Sequence, residues 1–195
     1  MSLLLRPPPT LLPLMAAVAV CDVVGERAQI KWPNDIVVDA AMPDGSPALA
    51  KLAGILVEGR PQEGWAVLGI GLNVAVRLED LPPELRGVQA REDEPAGANP
   101  SEPPRLAATL GGSAKDIEPT LAGLLEALEQ RLAEPAHETL RAWRARDALH
   151  GREVAWSAGR GRAEGVDGEG RLVVALDGGG HTALGAGEVH LQPLS

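Results

Sequence analysis

A chain of 195 residues, 45% hydrophobic and 23% charged, is long enough for one substantial core or for a core domain with a small satellite. It reads as a globular protein rather than a disordered or fibrous one. A net charge of -9 with a pI near 4.9 lacks the basic stripe of a phosphate-backbone binder, so no nucleic-acid partner is expected.

The single cysteine, Cys21, excludes an internal disulfide or a cysteine metal cluster and fits a reducing, cytoplasmic setting. His137, His150, His181 and His190 are too scattered to form a ligand set. Four Trp stand beside no Phe and no Tyr, so the core must be built from Leu, Val, Ala and Ile.

The opening "MSLLLRPPPTLLPLMAAVAVC" has the outline of a signal peptide. Its charge is weak, however, Pro7-Pro8-Pro9 splits the apolar run, and Val20 stands where a small residue would precede Cys21. No stretch reaches the roughly 18 to 20 apolar residues of a membrane span, and no membrane partner is expected. Ser2 to Leu5 reads as a buried strand, and Thr10 to Val24 as a helix closed by Gly25. Pro13 falls in the helix's first turn, where proline is tolerated. Leu11, Leu14, Met15, Val18 and Cys21 or Asp22 trace its apolar face, which makes Cys21 a core residue.

Strand patterns follow at Ala28 to Trp32, Ile36 to Asp39, Lys51 to Glu58 and Trp65 to Val76. Pro33-Asn34, Pro43-Asp44-Gly45 and Gly59 to Gly64 separate them as turns. Leu78 to Lys115 is proline-rich and reads as loop with one short helix near Arg105 to Leu110, without chemistry. From Glu118, Leu121, Leu124, Leu125, Leu128 and Leu132 follow helical spacing and predict an inward face. A further helix is expected from about Ala136 to Ala148, with Leu140 and Trp143 inward, ending near His150-Gly151. Short strands then recur at Glu153 to Ser157, Arg162 to Val166, Leu172 to Leu176, His181 to Leu184 and Glu188 to Leu191, turning at Asp167-Gly168 and Asp177-Gly178. They predict a small β-barrel appended to the main domain.

Three strand segments carry the candidate chemistry: KWPND (Lys31 to Asp35), KLAGILVE (Lys51 to Glu58) and GIGLNV (Gly69 to Val74). Gly54 interrupts a strand without offering a turn, a common mark of close approach by a ligand or another backbone. Gly69 and Gly71, two apart, clear one face of their strand and leave a flat slot. Lys31, Lys51, Asn34 and Asn73 can place cationic and amide donors around it, while Asp35 orients a lysine or helps hold Mg2+. The bland alternative has the glycines as bulges, the lysines snorkelling to solvent and Asn34 capping a turn.

The order KWPND, KLAGILVE, GIGLNV closely resembles biotin protein ligase. So do "SLLLRP" with the Ala-rich helix after it, and "GVDGEGRLVV" with "GEVHL" in the C-terminal region. The resemblance implies an α+β fold. A mixed central sheet with packed helices, of class II synthetase-like type, spans residues 1–149 as a partial catalytic domain, and a C-terminal SH3-like β-barrel spans 150–195. It implies synthesis of biotinyl-5′-AMP from biotin and ATP with Mg2+, then transfer of biotin to a lysine of a biotin carboxyl carrier domain. Lys51 would be the catalytic electrostatic group and, with Gly54, Leu56, Gly69 and Gly71, would line the biotin slot, Leu56 offering its backbone to the ureido ring. Lys31, Asn34, Asp35 and Asn73 would serve the nucleotide, Asp35 also the Mg2+. Trp32 is read as the packing residue that fixes this corner.

The family carries, upstream of the strand like SLLLRP, an Arg- and Gly-rich loop of the form GRGRxGRxW, and the sequence as given begins after it. The expectation is a start assigned at an internal Met, with weak biotin binding and poor adenylate formation by the 195 residues alone. The string GRGR at Gly159 to Arg162 belongs to the C-terminal strands and is not read as a substitute. No operator binding is expected. Two other readings stay open: a degenerate ligase-like domain that binds biotin or a carrier protein without chemistry, and a lipoate ligase or transferase of the same broad fold. Sheet edges around Glu58 to Trp65 or Trp65 to Val76 leave a homodimer open beside a monomer.

Overall fold

The computed structural model describes residues 1–42, 44–82, 85, 106–186 and 192–193. The first half builds one sheet from β1 (Ser2–Leu5), β2 (Gln29–Lys31), β3 (Asp35–Ala41), β4 (Pro47–Arg60) and β5 (Trp65–Leu72), in the order β1-β5-β4-β3-β2. Every one of these pairings is antiparallel. A two-residue strand, β6 (Leu106–Ala107), adds parallel to Ala50–Lys51 of β4 and makes the sheet mixed.

Helix α1 (Leu12–Val24) packs on β2, β3 and β4 and is covered by α2 (Ile117–Ala133) and α3 (Ala136–Arg144). Enclosed in this way, it is buried all round from Leu14 to Cys21 rather than along one stripe. Gly25 ends it at φ +92°, its N–H donating to the Cys21 carbonyl at 2.9 Å. Burial pushes the Cys21 thiol up to about 12, with Arg146 pulling the other way and Asp22 adding to the rise. Cys21 is thus the core residue its helical position predicts.

The second sheet has the order β10-β9-β8-β7-β11 and is antiparallel throughout. Its strands are β7 (Glu153–Trp156), β8 (Gly159–Val166), β9 (Leu172–Leu176), β10 (His181–Leu184) and β11 (Gln192–Pro193). One apolar cluster joins both sheets, from Leu11 and Val18 of the α1 region through Ile30 and Leu68 to Val154, Leu172 and Leu184.

Several expectations are corrected. Instead of a short helix near Arg105 to Leu110, Leu106–Ala107 form a strand. β4 extends past the end of β5, so its backbone at Ala50 and Lys51 has an edge to fill. The α2 face is only half inward: Leu124 and Leu128 are buried and Leu132 is partly buried, but Leu121 and Leu125 are 38% and 41% exposed. Helix α3 stops at Arg144, because the chain just beyond pairs with β2: Ile30 N–H donates to Arg146 O and Ala148 N–H to Ile30 O. β5 ends at Leu72, and β4 begins at Pro47 rather than Lys51. The strand expected at Glu188 to Leu191 and the residue Pro43 lie outside the described residues.

The GRGR string opens β8, as its reading within the C-terminal strands requires. A Cβ on Gly161 would stand 2.2 Å from the Ala175 carbonyl oxygen. Arg160 pairs with Asp177, and Arg162 pairs with Glu153 and donates to the Gly151 carbonyl. Close strand packing accounts for that glycine, and local pairing for both arginines.

Candidate functional site

Sheet register brings the three motifs together. Lys31 lies opposite Asp35, Asp35 opposite Gly54, and Gly54 opposite Gly71, so one row crosses β2, β3, β4 and β5. In the next row on the same face, Leu56 lies opposite Gly69, and Gly69 opposite Ser2. The residues between them, Ile55 and Ile70, turn to the buried side. Alternation thus gives the sheet one core face and one face almost without side chains, at the point where three glycines meet.

A cavity of about 420 Å³ occupies this place, lined by Met1, Asn34, Lys51, Gly54, Ile55, Leu56, Gly69, Ile70 and Gly71. All five residues expected in the slot, Lys51, Gly54, Leu56, Gly69 and Gly71, are among its walls. Neither Gly69 nor Gly71 is demanded by the fold. A Cβ at Gly69 would meet Leu56 at ordinary contact distance, one at Gly71 would meet nothing within 4 Å, and neither has a positive φ.

Lys51 lies on β4 just before a register shift, with Ile36 opposite Ala53 but Val37 opposite Lys51. This bulge re-aims its side chain. Lys51 Nζ stands 2.5 Å from Asp35 Oδ1, which has no hydrogen-bond partner among the described residues. The contact is therefore an ion pair rather than an aligned hydrogen bond. A Cβ on Gly54 would come within 3.1 Å of Lys51 Cε and 3.2 Å of Nζ. Gly54 is the space over which the ammonium lies.

Asn34 is used as a brace. Its Nδ2 donates to the Ile55 carbonyl at 2.9 Å while Ile55 N–H donates to the Asn34 carbonyl at 2.9 Å. Trp32, 1% exposed, donates from Nε1 to the Gly170 carbonyl at 3.1 Å, as expected of a residue that packs the corner. Lys31 and Asp35 sit beside the cavity in the row rather than among its lining residues. Asn73 is further off: its Nδ2 donates to the Ala108 carbonyl at 2.9 Å and its N–H to Leu52 O at 3.0 Å. Leu110 N–H and the Thr109 hydroxyl donate back to its carbonyl, so Asn73 fastens the segment after β6 to the end of β5.

Met1, Ile55 and Ile70 line the cavity without having been singled out in the sequence. Strand alternation could have pointed to the two isoleucines, since removing side chains at Gly54, Gly69 and Gly71 bares the backbone between them. Met1 is held by its ammonium on the Ile70 carbonyl at 2.8 Å, for which the sequence has no signal. Among the described residues no group of three or more His, Cys, Asp or Glu could hold a metal ion. No described helix is long and apolar enough to cross a membrane.

No family model matches the chain. Two curated proteins do: the bifunctional ligase/repressor BirA of Bacillus subtilis strain 168, 37% identical over 109 residues, and that of Bacillus spizizenii, 35% identical over 109 residues. In both cases the match spans 50% of this chain and 31% of the relative, so the chain spans about a third of the length of the curated relatives it matches. Among solved structures, the apo biotin protein ligase of Aquifex aeolicus superposes with a TM-score of 0.71 at 22% identity, over 99% of this chain and 81% of that one. The same protein in complex with biotin and ATP gives a TM-score of 0.68 over 99% and 77%. A biotin protein ligase-like protein of unknown function from Silicibacter sp. gives 0.55 at 15% identity, over 94% and 76%. The chain has the fold of the biotin ligase catalytic domain, with mixed and antiparallel sheets and packed helices.

Proposed function

We propose that the chain is the adenylate-forming part of a biotin protein ligase, which activates biotin with ATP and passes it to a lysine of a biotin carboxyl carrier domain. One observation carries the reading: a cavity floored by glycines that the fold does not require, with a single lysine ammonium held at its edge. Biotin's fused ureido ring system can lie against such a floor, and the carboxylate at the end of its side chain needs a cation.

In the first step a biotin carboxylate oxygen attacks the α-phosphorus of ATP, the bond to the bridging oxygen breaks, and pyrophosphate leaves. Two anions must approach, so Lys51 offsets their repulsion and the charge that builds on the phosphoryl oxygens. In the second step the amine of a carrier lysine attacks the acyl carbon of biotinyl-5′-AMP. AMP leaves with the bonding electrons, and an amide remains once the amine has lost its proton. Gly54, Leu56, Gly69 and Gly71 bind biotin, Leu56 through its backbone; Lys31, Asn34, Asp35 and Asn73 serve the nucleotide side.

Mg2+ is compatible with the donor set. This ion is commonly held by one or two carboxylates together with substrate phosphates, and Asp35 supplies one carboxylate at the edge of the cavity, where Lys51 is its cationic neighbour. Asp35 would hold the ion, which would neutralise phosphate charge. In this reading residues 1–149 form the partial catalytic domain, and 150–195, with their five-stranded antiparallel sheet, an SH3-like barrel.

The test is biotin-dependent exchange of labelled pyrophosphate into ATP, followed by transfer to a purified carrier domain, using the longest in-frame product that contains these 195 residues. Both activities are expected. Biotin binding without exchange would replace the ligase with a pure binder, and lipoate-dependent exchange in place of biotin would replace the substrate.

A further inference from the structure

The turn between β8 and β9 reaches across to the KWPND corner. Asp167 organises it: Oδ1 accepts the N–H of Glu169 at 3.0 Å and of Arg171 at 2.9 Å, while Oδ2 takes the Arg171 guanidinium at 2.7 Å. Arg171 also reaches Glu169 at 2.8 Å, Asp167 N–H donates to the Arg171 carbonyl, and Gly170 N–H donates to the Asp167 carbonyl. Gly170 sits at φ +80°, and a Cβ there would lie 3.2 Å from Leu14 Cδ1. Glycine therefore lets the turn lie directly on α1. From that position its carbonyl receives the indole N–H of Trp32.

The connection between β2 and β3 is only Trp32-Pro33-Asn34, between the paired residues Lys31 and Asp35. It is fastened at both ends, Trp32 to Gly170 and Asn34 to Ile55. Asp35 follows immediately, with Lys51 on its carboxylate. A second link ties the same strand to the chain between α3 and β7, where Ile30 N–H donates to Arg146 O at 2.7 Å and Ala148 N–H donates to Ile30 O at 2.9 Å.

We propose that the β8–β9 turn is a positioning element of the cavity, with Trp32 and Asp167 as positioning residues: the turn, through Gly170 and Trp32, sets where Asn34, Asp35 and hence Lys51 stand. The consequence for catalysis rests on the ligase reading, but the mechanical coupling does not. Because the floor of the slot belongs to β4 and β5, loosening the turn disturbs the nucleotide corner while leaving the biotin floor in place.

Two variants test this without altering any cavity residue. Trp32→Phe keeps an apolar ring and removes the N–H; Asp167→Asn weakens the turn from the far side. Amide hydrogen exchange is measured on the full 195-residue chain, well below the midpoint of thermal unfolding. The Ile55 amide, bonded to the Asn34 carbonyl, is expected to exchange about fivefold faster or more in both variants, a change in keeping with one hydrogen bond. The Ile70 amide, bonded to the Met1 carbonyl, is expected to be unchanged. The double variant should show little beyond Trp32→Phe alone, since both act through one contact.

In the active ligase the same variants should raise KM for ATP about tenfold with little change in KM for biotin, a split that general destabilisation would not give. Unchanged Ile55 exchange, or equal acceleration at Ile55 and Ile70, would overturn the positioning role. Absence of adenylation by the longest in-frame product that contains these residues, with the Ile55 effect intact, would instead count against the ligase reading alone.

Discussion

Lys51 Nζ lies 2.5 Å from Asp35 Oδ1, directly over Gly54, the residue that Asp35 faces across the sheet. The lysine side chain is about half exposed, at 51%, and such pairs contribute roughly 0 to 1 kcal/mol to stability. Its value is therefore geometric: the pair keeps a cation above the slot, and the absence of a side chain at residue 54 gives it somewhere to lie.

Lys51→Met is accordingly expected to fold with a stability within about 1 kcal/mol of the parent chain. Adenylate formation should fall by about 10² to 10³, the loss expected when a preorganised group at developing charge is removed. Chemical denaturation and pyrophosphate exchange, measured on the same preparation, separate the two effects. A fall in exchange of less than about tenfold would mean another group neutralises the phosphate.

Gly69→Val and Gly71→Val should make the sheet no less stable. Valine suits a strand better than glycine by up to about 1 kcal/mol, and the space for a first side-chain atom is present at both positions. The same substitutions put methyl groups on the cavity floor, so biotin affinity should drop by about tenfold or more. Isothermal titration beside a thermal melt reads both quantities. Intact affinity with a raised Tm would remove these glycines from the binding surface.

The cavity was legible in the sequence because its determinants are local. Glycines spaced by two on one strand and a mid-strand glycine on its neighbour carry their meaning in the strand period alone, whereas Lys51, three residues before Gly54, reaches their face only through the bulge opposite Ile36 and Val37. What depends on partners distant in sequence was not legible. The apolar spacing of α2 shows that it has a hydrophobic face, but only α1's position shows that Leu121 and Leu125 remain outside while Leu124 and Leu128 pack inward. The end of α3 is likewise set by Ile30, more than a hundred residues away, and the β6 strand by an unfilled edge of β4. Asn73 takes its nucleotide role from its place in GIGLNV; its bond to Ala108 could not be foreseen from a segment read as loop.

That bond supports a separate prediction. Asn73→Ala leaves the partly buried Ala108 carbonyl without the amide it now accepts from, which should cost about 1 to 2 kcal/mol. The urea midpoint should fall at unchanged slope. An unchanged midpoint would mean that the Asn73 amide is not holding the segment.

Asp147 provides a pH test of the junction between the two sheets. Its Oδ1 accepts the Leu149 N–H at 2.8 Å, while Oδ2 is buried without a hydrogen-bond partner among the described residues, close to Gly165 of β8. Burial pushes its carboxyl above the usual range, and the Leu149 N–H, the His150 charge and the His150 N–H oppose the rise without cancelling it. A folded pKa above the unfolded value of about 3.9 means that the folded state takes up the proton more readily. The resulting stability is fully present below about pH 4 and is lost as pH rises through the folded pKa. At neutral pH the ionised carboxylate is then a cost to the fold. Asp147→Asn keeps an acceptor for Leu149 and carries no charge, so it should be more stable than the parent at pH 7, with the gap closing as pH falls toward 4. Urea denaturation of both chains across that range is the measurement. A gap that does not change with pH would show that ionisation of Asp147 is not what strains the junction.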